Sequence, residues 1–140
     1  MAEYVANALQ TVETNQNVLF TDTAIYGNNA IIHRDGSGII TLRGLTNQCR
    51  ARFRITFGAN IAIPTGGTVE PISIAIAVGG ESIASSNMIV TPAAAEDFWN
   101  VSRTIHVDVP CGCCVQVSVR NTSEQAIDVQ NANLIIDRVA

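Results

Sequence analysis

Between residues 48 and 57 the chain alternates strictly: Cys49, Ala51, Phe53, Ile55 and Phe57 fall on one side, and Arg50, Arg52, Arg54 and Thr56 on the other. A period of two belongs to a β-strand with one buried and one wet face. The same period returns at Ile72-Ile74-Ile76-Val78, at Ile105-Val107-Val109 and at Val115-Val117-Val119. Strands are predicted near residues 4–12, 17–20, 30–34, 38–42, 48–58, 69–78, 82–90, 103–109, 114–120 and 132–139. About ten short strands with turns between them make an all-β sandwich or barrel. The turn chemistry is explicit at Asp35-Gly36-Ser37-Gly38, Pro64-Thr65-Gly66-Gly67, Gly79-Gly80 and Asn121-Thr122-Ser123. Gly79-Gly80 suits a two-residue hairpin, whose central positions need positive φ. Thr91 to Asp97, with Pro92 and three alanines, reads either as a helix of one or two turns or as an extended connection.

The strand from Ile72 to Val78 carries isoleucines on one face and the small residues Ser73, Ala75 and Ala77 on the other. Strands apolar on both faces are normally covered on both. In a two-layer sandwich only one face meets the core, so the pattern predicts that a second chain covers the other. A homo-oligomer follows, with Phe53, Phe57, Ile72, Ile74, Ile76 and Trp99 as the residues of its subunit interface or core. Phe98 and Trp99 are adjacent, so one is expected to plug the core while the other meets a neighbour.

Composition sharpens this picture. At 140 residues the chain is one domain, residues 1–140, large enough for a single core and too short for two. Charged residues are only 14%, against about 25% in an average soluble domain, so part of the surface is expected to meet protein. Four of the eight cations, Arg43, Arg50, Arg52 and Arg54, are close in sequence, there is no lysine, and the net charge is −4. That balance, without aromatics interleaved along a basic stripe, argues against nucleic acid, and the arginine row reads as a solvated or salt-bridged sheet surface. No apolar run reaches the ~20 residues of a transmembrane helix, and residues 1–10 do not read as a secretory signal. No membrane partner is expected.

Candidate chemistry is sparse. Cys111-Gly112-Cys113-Cys114 does not have the paired C-x₂₋₄-C spacing of a structural zinc site. Cys49 offers a fourth thiol, so these cysteines read first as small buried thiols, with a disulfide and a metal site as equal alternatives. His33-Arg34-Asp35 precedes a Gly-Ser-Gly turn and reads as hairpin chemistry, not as a kinase loop. His106 alternates with Ile105 and Val107 and is expected to point away from the core. The carboxylates are scattered, and no nucleophile, base and orienting group share a motif. No enzymatic activity and no cofactor are expected.

The string Gly38-Ile39-Ile40-Thr41-Leu42-Arg43-Gly44, the aromatic strand through Phe53 and Phe57, the Ile-rich and Val-rich strands, and the closing segment from Asn131 to Ala140 together resemble a C1q/TNF-like jelly-roll β-sandwich. More narrowly they are similar to short stand-alone members from phages and prophages of gut Firmicutes, and distantly to the C-terminal tip domain of the exosporium protein BclA. The resemblance covers nearly the whole chain and lies in segment order and length. It implies a homotrimer around a threefold axis, with the termini on one side. It further implies a non-enzymatic virion structural protein, a trimeric capsid-decoration, cement or head-fibre protein, with the major capsid protein or another virion component as partner and the virion as its location. The alternative is a trimeric binding module, a tail-fibre tip or a bacterial or spore surface adhesin, that recognises a host glycan or protein through loops 21–29, 64–70 and 121–126.

Overall fold

The structure is a computed structural model that describes residues 1–27 and 29–140. Among the described residues the backbone forms twelve strands: β1 (Ala2–Ala6), β2 (Gln10–Val12), β3 (Asp22–Ile25), β4 (Ile31–His33), β5 (Ile40–Arg43), β6 (Arg50–Ala62), β7 (Ile72–Val78), β8 (Glu81–Ser82), β9 (Met88–Val90), β10 (Trp99–Pro110), β11 (Cys114–Asn121) and β12 (Ile127–Arg138). A single 3₁₀ turn, Ala84–Ser86, is the one helical element described. Two antiparallel sheets result. The first, here the long sheet, runs β10-β6-β12-β1-β3 with β2 also on β12. The second, the short sheet, runs β4-β5-β11-β7-β8 with β9 also on β7.

The alternation read from the sequence decides which residues the sandwich encloses. Phe53, Ile55, Phe57 and Ile61 from β6, Ile72, Ile74 and Ile76 from β7, and Val117 and Val119 from β11 are fully buried in one cluster. Phe20, in a segment expected to be a strand, lies outside any strand but is equally buried. Its ring meets Phe57 edge-on, with centroids 6.4 Å apart and planes at 82°, the arrangement that aromatic quadrupoles favour. Gly79 and Gly80 form the β7–β8 hairpin at φ 64° and 85°, as a primed turn requires.

Several expectations are corrected. Residues 4–12 split into β1 and β2, and 82–90 into β8, the 3₁₀ turn and β9. The split at 82–90 has a physical centre: Ser86 is buried, its hydroxyl oxygen lies 2.7 Å from the Ile83 carbonyl, and it accepts the Ile76 N–H at 3.0 Å. A side chain that satisfies strand-edge groups replaces the ladder there. Residues 91–97 form no helix. Strand β3 was not expected, because Asp22-Thr23-Ala24-Ile25 has no buried member and so no alternation to read.

The largest correction concerns β7. Ala75 and Ala77, on its outer face, are 1% and 0% exposed in a single chain. Ala75 pairs with Arg120 and Ala77 with Ser118, which is itself buried. Methyl groups lying low between larger neighbours are shielded without a second subunit, so the two-sided apolar pattern does not demand one. Phe98 and Trp99 are corrected too: they are 39% and 50% exposed, and neither plugs the core.

Candidate assembly face

The long sheet leaves its outer face open, and β6 crosses it between the edge strand β10 and β12. The register pairs Asn60 with Asn100, Gly58 with Ser102, Thr56 with Thr104, Arg54 with His106 and Arg52 with Asp108 on β10. On the other side it pairs Gly58 with Asn133, Thr56 with Ile135 and Arg54 with Asp137 on β12. These outward residues are joined in cross-strand rows, the unit of sheet stabilisation. Asn100 Nδ2 donates to Asn60 Oδ1 at 3.2 Å, and Asn60 Nδ2 to Asn131 Oδ1 at 3.4 Å. The Thr56 and Thr104 hydroxyls lie 3.0 Å apart, and Asn133 Nδ2 donates to Glu3 Oε2 at 2.6 Å. Asn131 has φ 55° at a register shift in β12, a bulge taken by a residue type that tolerates the left-handed region.

One end of the face is charged. Arg52 Nε donates to Asp108 Oδ1 at 2.8 Å, Arg50 Nε lies 3.2 Å from Asp108 Oδ2, and Arg54 Nη2 donates to Asp137 Oδ2 at 3.0 Å. The arginine row is therefore a salt-bridged surface. The hydrogen bond from Arg52 holds the Asp108 carboxyl below its ordinary value, with the Arg52, Arg50 and His106 charges acting in the same direction against partial desolvation. The same bond raises Arg52. From Thr56 to Asn60 on β6 and from Asn100 to Thr104 on β10 the outward side chains are short and uncharged, with Glu3 on β1 beyond β12, and at Gly58 an added Cβ would find nothing nearer than the Val101 carbonyl at 3.8 Å.

The edge of the same sheet is also free. Strand β10 is twelve residues long and ends the strand order, so among the described residues one row of its N–H and C=O groups has no strand partner. Long uncovered edges are templates for pairing with another chain. Beside it runs a cavity of about 410 Å³ lined by Val78, Ile83, Ser85, Ile105, His106 and Val107. Farther along, a second of about 240 Å³ is lined by Ile89, Val90, Thr91 and Trp99. Trp99 thus belongs to the edge, and Phe53, Phe57, Ile72, Ile74 and Ile76 belong to the core within the chain. From the sequence, Arg50, Arg52, Arg54, Thr56 and His106 read as outward; Asn60, Asn100, Ser102, Thr104, Asn131 and Asn133 are not singled out, and the available signal is the outward half of the alternation in β6 and β10.

The four cysteines are exposed and free, where buried thiols were expected. Among the described residues no group of three or more His, Cys, Asp or Glu side chains converges as a metal site, and no helix is long and apolar enough to cross a membrane. His33 packs on Tyr4 with centroids 4.4 Å apart and contacts the Ser37 carbonyl through Nε2 at 2.8 Å, as hairpin chemistry predicts. His106 lies exposed on the outer face.

No family model and no curated protein matches this chain. Solved structures do. The globular domain of zebrafish complement 1qA protein aligns over 96% of this chain and 94% of its own, with a TM-score of 0.54 and 9% identity. The C-terminal domain of EclA, described as a sugar-binding protein, aligns over 94% and 80% with a TM-score of 0.42 and 17% identity. Rabbit GITRL aligns over 79% and 78% with a TM-score of 0.45 and 13% identity. At such identities the likeness concerns fold, and the complement domain carries it: the chain is a C1q/TNF-like jelly roll.

Proposed function

We propose that this chain is a non-enzymatic structural protein whose copies close into a homotrimer through the long sheet, the free β10 edge of one subunit packing on the open face of the next. The single observation that carries this reading is a twelve-residue free edge adjoining a flat face whose side chains already satisfy one another. Contact between an edge and the neighbouring face is heterologous, and such contacts close into rings when the rotation permits. Three subunits is the number that the C1q-like resemblance implies. The trimer would decorate or cement a larger particle, a virion assembled in a bacterial cytoplasm, with the major capsid protein as its partner; this part rests on the likeness to phage members.

The test is the native mass of the purified protein by light scattering behind size exclusion, followed by a search for the chain in purified particles. A mass three times that of the chain supports the assembly, and a stable monomer removes it. Particles without the protein remove the decoration role while leaving the trimer standing.

A second reading is favoured by Tyr26, which follows β3, is 81% exposed and lines a cavity of about 210 Å³ with Thr23, Asn29, Ile32 and Arg43. An exposed ring beside hydrogen-bonding groups suits stacking on a sugar. Glycan binding that disappears in Tyr26→Ala, from a protein absent from particles, would make the binding module the better account.

A further inference from the structure

All four cysteines of the chain gather at one end of the sandwich, on the approach to β6 and on the turn between β10 and β11. The antiparallel register of β6 with β10 runs unbroken to Val109 opposite Ala51 and Pro110 opposite Arg50. The next step sets Cys111 opposite Cys49, and the Cys111 N–H donates to the Cys49 carbonyl at 3.0 Å. That bond marks a hydrogen-bonded pair, whose opposed Cα atoms stand about 5.5 Å apart, within the ~4.4–6.8 Å that a disulfide spans. Both thiols are solvent-exposed.

The surroundings fix the backbones and leave the thiols adjustable. Residues Pro110 to Cys113 make a turn closed by Cys113 N–H on the Pro110 carbonyl at 3.0 Å, with Gly112 at φ 76°, the positive value that a type II turn needs at its third residue. Gly44 lies so close that an added Cβ would strike the Pro110 carbonyl. Gly44 also donates to the Cys113 carbonyl at 2.9 Å and accepts from Gly112 at 3.1 Å, so the loop leading to Cys49 is clamped to the turn that carries Cys111. The Cys111 thiol is held only by the Thr46 carbonyl, at 2.9 Å. Cys113 and Cys114 are neighbours at the start of β11, where successive side chains point to opposite faces, so they are poorly placed to pair with each other.

We infer that Cys49 and Cys111 form a thiol–disulfide exchange site that closes into an intrachain disulfide when the protein meets an oxidising disulfide such as glutathione disulfide. One cysteine thiolate attacks a glutathione sulfur and expels the first glutathione thiolate, leaving a mixed disulfide. The second cysteine thiolate attacks the protein sulfur of that bond and expels the other glutathione. Two electrons pass to the oxidant, two glutathione thiols are released with the two cysteine protons, and one S–S bond staples the open ends of β6 and β10. This inference does not depend on the trimer, since both partners lie in one chain.

The test is to incubate the protein with one equivalent of glutathione disulfide, remove the glutathione, count free thiols and bound glutathione under denaturing conditions, and map peptides after cleavage at arginine. The expected result is a fall from four thiols to two, with the peptide carrying Cys49 joined to the one carrying Cys111. The same fall is expected in a Cys113→Ser/Cys114→Ser variant, from two thiols to none, and a rise in melting temperature on the order of 10 °C accompanies oxidation. Retention of all four thiols, a joined peptide pair that survives Cys111→Ser, or cross-linking only between chains on a non-reducing gel would each overturn it.

Discussion

The outer faces of the two sheets solve the same problem in opposite ways. On the short sheet, Ala75 and Ala77 of β7 are apolar and already out of solvent within one chain. On the long sheet, the corresponding face of β6 carries Arg52, Arg54, Thr56, Gly58 and Asn60, bonded along its rows to β10 and β12. The apolar stretch at Ala75 and Ala77 is closed, although Ile89 opposite Ser73 and Ile32 opposite Thr41 on the same sheet are exposed, and the polar face is open. An apolar pattern in sequence is therefore a poor guide to where a second chain docks, because small residues can be covered by their own neighbours. A face of short polar residues beside a free edge offers a partner more area.

Substitutions sharpen this contrast, and the largest effect lies in the core that both sheets share. Phe57 is fully buried and edge-on to Phe20. Phe57→Ala removes that contact and leaves a cavity, so a loss of about 3–5 kcal/mol is expected in denaturant titration. The closed face comes next. If Ala77 has no room beyond its methyl, Ala77→Leu overpacks the site and costs about 1–3 kcal/mol. A stability equal to that of the unsubstituted protein would mean that the short-sheet face is open after all, and that the contrast between the sheets is false.

Gly58→Arg tests the open face directly. The backbone leaves room for a Cβ and the longer side chain extends from an outward position, so folding stability should stay within about 0.5 kcal/mol. If the neighbouring subunit packs there, a long cation at the centre of the face blocks it. Light scattering should then report a folded monomer in place of the trimer. An unchanged assembly would move the contact off this face.

The alternation that put Phe53, Phe57, Ile72, Ile74 and Ile76 on one side of their strands was legible because burial on one side imposes a period of two; whether that side meets the core or another subunit was not legible, and the structure buries it within the chain. The hairpin at Gly79-Gly80 was legible because few residues other than glycine accept positive φ twice in succession. Strand β3 was not, since an edge strand with no buried member leaves no pattern. The 3₁₀ turn was hidden because its cause is one side chain, Ser86, bonding to groups in β7 that only the tertiary structure brings near. The assembly face was half legible: Arg50, Arg52 and Arg54 stood out as a row, but their partners Asp108 and Asp137 lie far along the chain. The exposure of the cysteines depends on where the sheet ends, which spacing alone does not reveal.

The smallest effect belongs to Asp108, which closes the charged end of the open face. Its carboxyl is held below the ordinary value chiefly by the hydrogen bond from Arg52, so the folded state favours the ionised form more than the unfolded chain does. The contribution is fully present above the unfolded value of about 3.9 and is lost as pH falls through the lower folded value. The difference in stability between the unsubstituted protein and Asp108→Asn should accordingly be small and flat above about pH 5, and should fade below about pH 4. Because both partners are exposed, high salt should shrink it at every pH. A difference that survived at low pH would assign the effect of Asp108→Asn to packing, and would make the charged rows of the open face a matter of shape instead of charge.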